Sequence, residues 1–283
     1  MNTLVFGKTG QVARELAQLD GTICFGRDSA DLSDPDACAA LIRTEAPDAV
    51  INAAAYTAVD KAEEDEALAT TVNGAAVGAM AKTCAQLGIP FVHISTDYVF
   101  DGTGETPWPV DAPLDPPNAY GHSKLVGENA TRDAGGTYAI MRTSWVVSAH
   151  GNNFIKTMLR LAETRDKLTV VADQIGAPTP ARDIAAASVK IATALKIDPS
   201  KSGTYHFQGS PFASWANFAR EIFAQAGVGC AVEDIPTTAF PTPAARPLNS
   251  RMDCSDITAS FGIPVPEWKQ GLSEILQELG AKP

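Results

Sequence analysis

Long apolar runs, paired cysteines and an excess of basic residues are all missing from this sequence of 283 residues. No run of about 18 apolar residues occurs and no basic segment opens the chain, so neither a membrane span nor a secretion signal is predicted. The five cysteines are scattered, odd in number and outside any CxxC or Cys/His spacing. They predict no disulfide frame and no zinc site, and they favour a reducing cytoplasm. The formal net charge of -11 argues against general binding to nucleic acid or to anionic membranes.

Short apolar segments and helical patterns alternate from Thr3 to Val147. The strand-like segments are TLVF, TICF, AVINAAA, FVHIST and YAIMRTSWVV, and amphipathic segments such as DACAALIRTE separate them. This alternation predicts an α/β fold with a doubly wound parallel sheet, the Rossmann arrangement, whose ligands bind at the carboxyl ends of the strands. Beyond Val147, glycine and proline interrupt the elements more often, which predicts a smaller, interwoven C-terminal substrate lobe.

A glycine-rich turn, VFGKTGQVA, joins the first predicted strand to the first helix. Gly7 and Gly10 permit tight backbone geometry, and Ala13 is small enough for close packing of the helix on the strand. Backbone N–H groups at the start of the helix would then cradle a pyrophosphate. The pattern is GxxGxxA, which alone also suits a purely structural turn. Its position at the opening of the first βαβ unit favours a dinucleotide site.

The second strand ends at Gly26 and Arg27, where an acidic residue ordinarily holds the ribose hydroxyls of the adenosine. That acid is missing from the predicted position. Arg27 and Lys8 can instead neutralise a ribose 2'-phosphate, so NADPH is the expected cofactor and NADH the alternative. The structural alternative is that both are solvated surface cations. Asp31 and Leu32 are expected to flank the adenine.

These patterns predict two interwoven units. An NADP-binding Rossmann domain is expected over 1–147, rejoined by about 181–209, because a strand at Thr204–Gln208 fits the main sheet. The sugar-side lobe then comprises 148–180 and 210–283.

Tyr120 and Lys124 lie four residues apart in NAYGHSK, a spacing that places both side chains on one face of a helix. We expect the ammonium to favour the phenolate and so to lower the pKa of Tyr120 toward neutrality. Lys124 is also expected to bind the nicotinamide ribose. Alone, the pair is equally typical of a helix surface.

The segment HISTDYVF places hydroxyl groups at the end of an apolar strand, where one of them can orient a substrate carbonyl. Alternation along a strand lets only one of Ser95 and Thr96 face the cleft, and we choose Thr96, partly from the resemblance described next. The glycine turn, the hydroxyl at the strand end and YxxxK in this order together indicate hydride transfer.

These motifs, with NAAAYTAVDKAE, RTSWV, GNNFIKTMLRLA, DQIGAPT and PTPAARPLNSRMD, resemble the dTDP-4-dehydrorhamnose reductases. That family belongs to the extended short-chain dehydrogenases, and the resemblance spans nearly the whole chain. It implies hydride delivery from NAD(P)H to the 4-keto group of a small-molecule dTDP-sugar, dTDP-4-dehydro-β-L-rhamnose, which gives dTDP-L-rhamnose. It also implies that Thr96, Tyr120 and Lys124 are catalytic.

Cofactor and substrate contacts are predicted from the turn, the strand ends and the resemblance together. The expected cofactor contacts are Gly7, Lys8, Gly10, Gln11, Val12, Arg27, Asp31, Leu32, Ala53, Ala54, Ala55, Tyr56, Thr57, Tyr120 and Lys124. The expected substrate contacts are Thr96, Asp97, Trp145, Asn153, Gln174, Arg246 and Arg251. Trp145 would form an apolar wall beside the hexose, or else be an ordinary core tryptophan. The two arginines are candidates for the nucleotide or diphosphate, with surface ion pairs as the alternative.

One segment departs from the family. Some members hold magnesium at a dimer contact through glutamates, one of them after APT, and here that segment reads PARDIAA with Arg182 in the aligned position. We therefore predict no metal, and a monomer or a homodimer.

Three other functions share parts of this pattern. Nucleotide-sugar 4,6-dehydratases need a carboxylate after Thr-Asp, and Tyr98 stands there instead. Epimerases are excluded less firmly. A non-catalytic NADP-binding protein, like the regulatory subunit of methionine adenosyltransferase, resembles the same family. Retention of Thr96, Tyr120, Lys124 and Trp145 together favours the enzyme.

Overall fold

The computed structural model of the chain describes residues 1–281 and contains twelve strands, of which six form one central sheet. The strands are β1 (Thr3–Phe6), β2 (Thr22–Phe25), β3 (Ala49–Asn52), β4 (Phe91–Thr96), β5 (Tyr138–Thr143), β6 (Val146–Val147), β7 (Lys167–Val171), β8 (Ile175–Gly176), β9 (Thr179–Pro180), β10 (Gly203–His206), β11 (Ala213–Ser214) and β12 (Ala231–Ile235). The central sheet has the order β10-β5-β4-β3-β1-β2, and all of its neighbours are parallel. The order reverses between β1 and β3, where a doubly wound sheet opens a ligand crevice.

Helices cover both faces of this sheet and also build the region that follows β5. They are α1 (Gln11–Leu16), α2 (Pro35–Glu45), α3 (Val59–Ala62), α4 (Glu66–Thr70), α5 (Ala76–Leu87), α6 (Ala119–Asp133), α7 (Phe154–Ala162), α8 (Ala181–Ile197), α9 (Trp215–Ala226), α10 (Ser255–Phe261) and α11 (Trp268–Glu278). A π-helical turn, Thr71–Ala75, leads into α5. Short, nearly continuous apolar strands are typical of a sheet that is buried on both sides. The predicted doubly wound α/β fold is confirmed.

Alternating side chains divide the strands between two apolar layers. Leu4 and Phe6 pack with residues of α2 and α5 on one face, and Val5 and Ile51 pack with α1, α8 and α10 on the other. Each fully buried aliphatic or aromatic side chain contributes about 1.5–3 kcal/mol to folding. The period-2 alternation therefore fixes which residues at the strand ends face the crevice.

Helix α6 lies unusually close to its neighbours because two of its glycines leave room for backbone. A Cβ on Gly127 would lie 2.1 Å from the Asn73 carbonyl oxygen of the π-helical turn, and one on Gly121 would lie 2.3 Å from the Tyr98 carbonyl oxygen. The helix begins where the Asn118 side chain accepts a hydrogen bond from the Gly121 N–H at 2.8 Å. This contact places the first two turns of α6 beside the end of β4.

A second apolar cluster lies C-terminal to β5 and is built around α7, α9 and α11. Phe218 and Trp268 meet edge to face within it, at 5.3 Å between ring centroids. Short strand pairs frame the cluster: β6 with β9, β7 with β12, and β8 with β11. The chain returns from this region to the central sheet through β10. The boundaries expected for the two domains stay a prediction.

Every helix within residues 1–281 is too short or too polar to cross a membrane. All five cysteines are free thiols.

Candidate active site

A cleft of about 750 Å³ opens at the carboxyl edge of the central sheet. It lies where β1, β3, β4 and β5 end, and it extends to the first residue of α9. Most of the residues predicted from the sequence line it: Gly7, Lys8, Gly10, Gln11, Val12, Arg27, Asp31, Leu32, Ala53, Ala54, Ala55, Thr57, Thr96, Asp97, Tyr120, Lys124 and Trp145. Residues that are far apart in the sequence thus meet in one cavity.

The glycine turn has the geometry of a dinucleotide cradle. Gly7 has φ 121°, a backbone conformation that favours glycine, and a Cβ there would lie 3.1 Å from the Cβ of Ala13. Gly10 has no atom of the chain within 4 Å of the place where a Cβ would stand. The turn is therefore tight on the protein side and open on the cleft side, which fits a pyrophosphate against the first turn of α1.

The end of the cleft beside β2, where the adenosine is expected, carries both signs of charge. Arg27 is exposed on the lining, and the Lys8 ammonium lies 3.6 Å from the carboxylate of Asp28. Asp28 also lines the cleft. The sequence pattern predicted no acid at the end of β2, because Asp28 lies beyond the two residues that end the strand. The Arg27 and Lys8 pair is thus accompanied by an acid one residue further along.

Tyr120 and Thr96 face each other at the centre of the cleft. Burial raises the pKa of the Tyr120 phenol to about 12, and its hydrogen bond with the Thr96 hydroxyl acts in the opposite direction. The Thr96 hydroxyl donates to Asp97 Oδ1 at 3.1 Å and accepts the Tyr98 N–H at 3.2 Å. The phenol is consequently protonated at neutral pH, as a proton donor must be.

Lys124 is only 2 % exposed, and its ammonium donates to the Ile94 carbonyl oxygen at 2.7 Å. Burial lowers its pKa to about 8, and the charge of Glu128 acts in the opposite direction. The expectation that Lys124 lowers the pKa of Tyr120 is wrong for this structure, because burial dominates at both groups. The helical spacing brought the two residues into one cleft but did not reveal how dry it is.

One of the two carboxylate oxygens of Asp97 has no hydrogen-bond donor among the described residues. Burial raises its pKa to about 6, against the hydroxyls of Ser250 and Thr96, and its Oδ2 atom is buried without a hydrogen-bond partner among the described residues. A buried carboxylate oxygen that lacks a partner costs free energy unless a ligand hydroxyl reaches it. This observation fits Asp97 as a substrate contact.

Behind the site lies a buried charge network that the sequence did not predict. Glu128 on α6 is fully buried, and Arg142 on β5 binds both of its oxygens, at 2.9 and 2.8 Å. Ser95 donates to Glu128 at 2.7 Å, and Arg132 donates to it at 2.7 Å. Burial opposes ionisation of Glu128, but Arg142 holds its pKa below the ordinary value. The network also gives Ser95 a structural role, which leaves Thr96 as the hydroxyl in the cleft beside Tyr120.

Two stacked indoles form part of the cleft wall. The Trp145 and Trp215 rings lie 3.6 Å apart between centroids and 15° from parallel. Trp145 has φ 46°, a left-handed conformation that is uncommon for a bulky residue and often marks a functional position. Sequence reasoning missed Trp215. Its position at the start of a helix gave no signal, because its contact with Trp145 depends on the tertiary fold.

Five predicted contacts lie outside the cleft lining. The Tyr56 hydroxyl donates to Asp65 at 2.9 Å, and Arg246 binds Asp60 at 2.8 Å. Asn153 donates to Gln11 at 2.8 Å, and Gln174 donates to Thr237 at 3.1 Å. Arg251 donates to Asn249 at 2.9 Å. The structure therefore gives each of these side chains a partner within the protein. One nitrogen of Arg246, Nη1, is buried without a hydrogen-bond partner among the described residues.

The segment after APT carries an internal ion pair. Arg182 binds Glu274 on α11. Within the part of the chain that the structure describes, no group of three or more His, Cys, Asp or Glu side chains is arranged to hold a metal ion.

Comparison with known proteins identifies the family. The sequence model of the protein family described as the RmlD substrate binding domain matches residues 1–281 of this chain. A dTDP-4-dehydrorhamnose reductase of Burkholderia thailandensis is 44% identical over 99% of both chains. The crystal structure of a dTDP-4-dehydrorhamnose reductase from Clostridium acetobutylicum superposes with a TM-score of 0.92 and 37% identity, over 99% of this chain and 100% of the other. The crystal structure of the reductase from Bacillus anthracis, in complex with NADP, superposes with a TM-score of 0.90 and 32% identity, over 98% of each chain. The resemblance predicted from the motifs is confirmed, and the chain belongs to the RmlD substrate binding domain family of dTDP-4-dehydrorhamnose reductases.

Proposed function

We propose that this protein reduces the 4-keto group of dTDP-4-dehydro-β-L-rhamnose to give dTDP-L-rhamnose, with NADPH as the preferred cofactor. The observation that carries the proposal is the convergence of Thr96, Tyr120 and Lys124 on one cleft with an open glycine turn. Relatives named for this activity match at 44% and 41% identity over nearly their whole length. We also infer that this final step of dTDP-rhamnose synthesis takes place in the cytoplasm, which the free thiols favour.

Each residue of the cleft has a separate role in the proposed reduction. NADPH, when bound along the glycine turn, supplies the hydride for the sugar ketone. Tyr120 donates the proton that the developing alkoxide requires, and its high pKa keeps that proton available at neutral pH. The Thr96 hydroxyl, beside the phenol, orients the carbonyl. Lys124, which lines the same cleft, would bind the nicotinamide ribose through its ammonium group.

Two features hold the sugar. Asp97 Oδ2 is available to accept a hydrogen bond from a hexose hydroxyl, and Trp145 presents an aromatic face to the cleft. Aromatic rings commonly pack on the apolar faces of ligands in such sites. The roles of Gln174, Arg246, Arg251 and Asn153 at the nucleotide end stay a prediction, and each would require the side chain to exchange its present partner for the substrate.

NADPH binding is supported by the charges at the adenosine end. Arg27 and Lys8 provide two cations beside the place expected for a ribose 2'-phosphate. The B. anthracis relative has a structure with NADP. Asp28 beside Lys8 provides an acceptor for ribose hydroxyls, which keeps NADH as the weaker alternative.

Tyr98 argues against a dehydratase. It lines the cleft at the position where elimination chemistry needs a carboxylate base, and its ring meets Tyr120 edge to face at 5.5 Å. Burial raises the pKa of the Tyr98 phenol, so it is not a base at neutral pH. The site therefore retains a proton donor and lacks the base for elimination.

The function is tested by following NADPH absorbance with enzymatically prepared dTDP-4-dehydrorhamnose and by identifying dTDP-rhamnose as the product. Tyr120→Phe keeps the ring and removes the proton donor, so it should lose most turnover while NADPH binding stays close to that of the unaltered protein. NADPH binding without oxidation by the unaltered protein would instead identify a non-catalytic binding subunit.

A further inference from the structure

A buried histidine stands directly behind the catalytic lysine and has no part in the mechanism above. His93 on β4 is completely buried, and its Nε2 atom lies 3.4 Å from Lys124 Nζ. Its ring is stacked on Phe91 at 6.2 Å between centroids and 13° from parallel. Burial, followed by the charge of Lys124, lowers the pKa of His93 well below its ordinary value, so the ring is neutral.

The hydrogen bonds around Asn52 determine which nitrogen of this neutral ring carries the proton. The Asn52 side-chain oxygen accepts the Ala54 N–H at 3.1 Å, so the amide NH₂ of Asn52 faces His93 Nδ1, at 3.2 Å. Nδ1 must then be the acceptor, because two donors cannot bond to each other. A neutral imidazole has one donor and one acceptor nitrogen, and its proton therefore lies on Nε2.

An Nε2–H group that points at Nζ distinguishes between the two forms of Lys124. It cannot bond to an ammonium, which has only donors, but it can donate to the lone pair of a neutral amine. The Ile94 carbonyl oxygen, 2.7 Å away, accepts from Nζ in either form. His93 and Ile94 together can hold a neutral Nζ in the position that the ammonium occupies.

The other charged groups around Lys124 act separately from His93. Glu128, one turn further along α6, favours the ammonium, but its charge is shared with Arg142 and Arg132. On the cleft side, the titratable groups of the same two segments are Tyr120 on α6 and Asp97 and Tyr98 after β4. Asn73 of the π-helical turn is uncharged and is occupied by Tyr56 and Ser123.

We propose that His93 is a positioning residue that stabilises the neutral amine of Lys124, so that Lys124 can pass a proton to Tyr120 and remain in place. The role rests on the proposed reductase function. After the Tyr120 O–H bond breaks to protonate the alkoxide, a proton from Nζ restores the phenol. The amine then accepts the His93 Nε2–H hydrogen bond until solvent returns a proton to it. The ring of His93 stays neutral throughout.

The first test needs no catalysis. Nitrogen-15 NMR of histidine-labelled protein distinguishes the two neutral tautomers and the imidazolium of His93, with His93→Phe used to assign the signals. The Nε2–H tautomer is expected near neutral pH, both free and with NADPH. An Nδ1–H tautomer or an imidazolium would overturn the proposal, whether or not the protein proves to be a reductase.

The second test measures how kcat depends on pH. His93→Phe retains a stacked ring and removes the Nε2–H donor, so the midpoint at which kcat falls on the alkaline side should move upward by about one pH unit. His93→Gln restores an N–H donor and should return the midpoint toward that of the unaltered protein. Phe91→Leu, the control, changes the ring stack but leaves the donor, and its midpoint should not move.

Two results of the kinetic test would contradict the proposal. A downward shift would mean that His93 stabilises the ammonium, and an unchanged midpoint with reduced thermal stability would mean that it only fills space. If His93→Phe does not fold, the Gln variant and the NMR measurement still decide the question. If the unaltered protein shows no reductase activity, that result would contradict the proposed reductase function and not the tautomer assigned to His93.

Discussion

Tyr120 and Lys124 illustrate at the scale of single residues how one environment acts oppositely on an acid and a base. Burial disfavours the charged form of each group, so it raises the pKa of the phenol to about 12 and lowers that of the ammonium to about 8. Both the Tyr120 phenol and the Lys124 amine are therefore protonated at neutral pH. The lysine is the member that loses its proton first as the pH rises.

This difference predicts the pH dependence of the reaction. Lys124 is charged below its pKa, so kcat should be constant near pH 7 and should fall as the pH rises through about 8. Stopped-flow measurement of NADPH oxidation under saturating conditions would give the midpoint. A fall only near pH 12 would indicate that the phenol alone controls the rate.

Gly10 allows cofactor binding to be separated from folding. No atom lies within 4 Å of a Cβ built there, so Gly10→Ala should fold normally but should place a methyl group where the pyrophosphate is expected. We predict at least about a tenfold weaker affinity for NADPH, which corresponds to about 1.4 kcal/mol. Titration calorimetry and thermal unfolding would measure the two effects.

Gly229→Ala is the matched control, because Gly229 is equally free of neighbours and lies outside the cleft. Its NADPH affinity should equal that of the unaltered protein. If both variants bind NADPH normally, the glycine turn is not the pyrophosphate site.

At the scale of elements, the contact between α6 and β5 depends on the buried pair of Glu128 and Arg142. Replacing one partner of a buried pair leaves the other charge without compensation, so Glu128→Gln should lower the free energy of unfolding by about 3–5 kcal/mol. Urea denaturation would measure the loss. The exposed pair of Lys167 and Glu233 is the control, since Glu233→Gln should cost at most about 1 kcal/mol.

The same pair predicts a loss of stability in acid. The pKa of Glu128 is lower in the folded protein than in the unfolded chain. Its contribution is therefore fully present above the unfolded pKa, about 4.3, and is lost as the pH falls through the folded value. Glu128→Gln should remove this part of the acid dependence.

The sequence predicted features that follow from local periodicity. Strand ends, the glycine turn and the Tyr120 to Lys124 spacing depend on periods of 2 and 3.6 residues, and they identified most of the cleft lining. Partners that are distant in the sequence were not predicted. Trp215, Asp28 and the turn of Tyr56 toward Asp65 depend on loop paths and helix approach, which the sequence pattern does not encode.

At the scale of the whole molecule, the indole stack connects the two regions that flank the cleft. Trp145 follows β5, whereas Trp215 opens α9 in the C-terminal cluster. Stacking on Trp215 supports the left-handed backbone of Trp145. This part of the cleft wall is therefore built from both regions.

Trp215→Ala should consequently weaken sugar binding without affecting the cofactor. We predict that KM for the sugar nucleotide rises about tenfold, a loss of about 1.4 kcal/mol that is within the range of aromatic contacts. Steady-state kinetics with each substrate varied in turn would measure it. Phe240→Ala removes an aromatic ring that is 59% exposed and should leave both KM values unchanged.

The return of the chain through α8 and β10 also has a consequence for biosynthesis. The apolar face of the sheet beneath Val5 and Ile51 is covered by α8, and the β5 edge is paired only when β10 arrives. A nascent chain that has left the ribosome only as far as residue 147 therefore exposes an uncovered sheet face and an open strand edge, both of which favour aggregation. The central sheet is therefore completed only after β10 has been translated, when α7 and the short strands β6 to β9 of the following region have already been made.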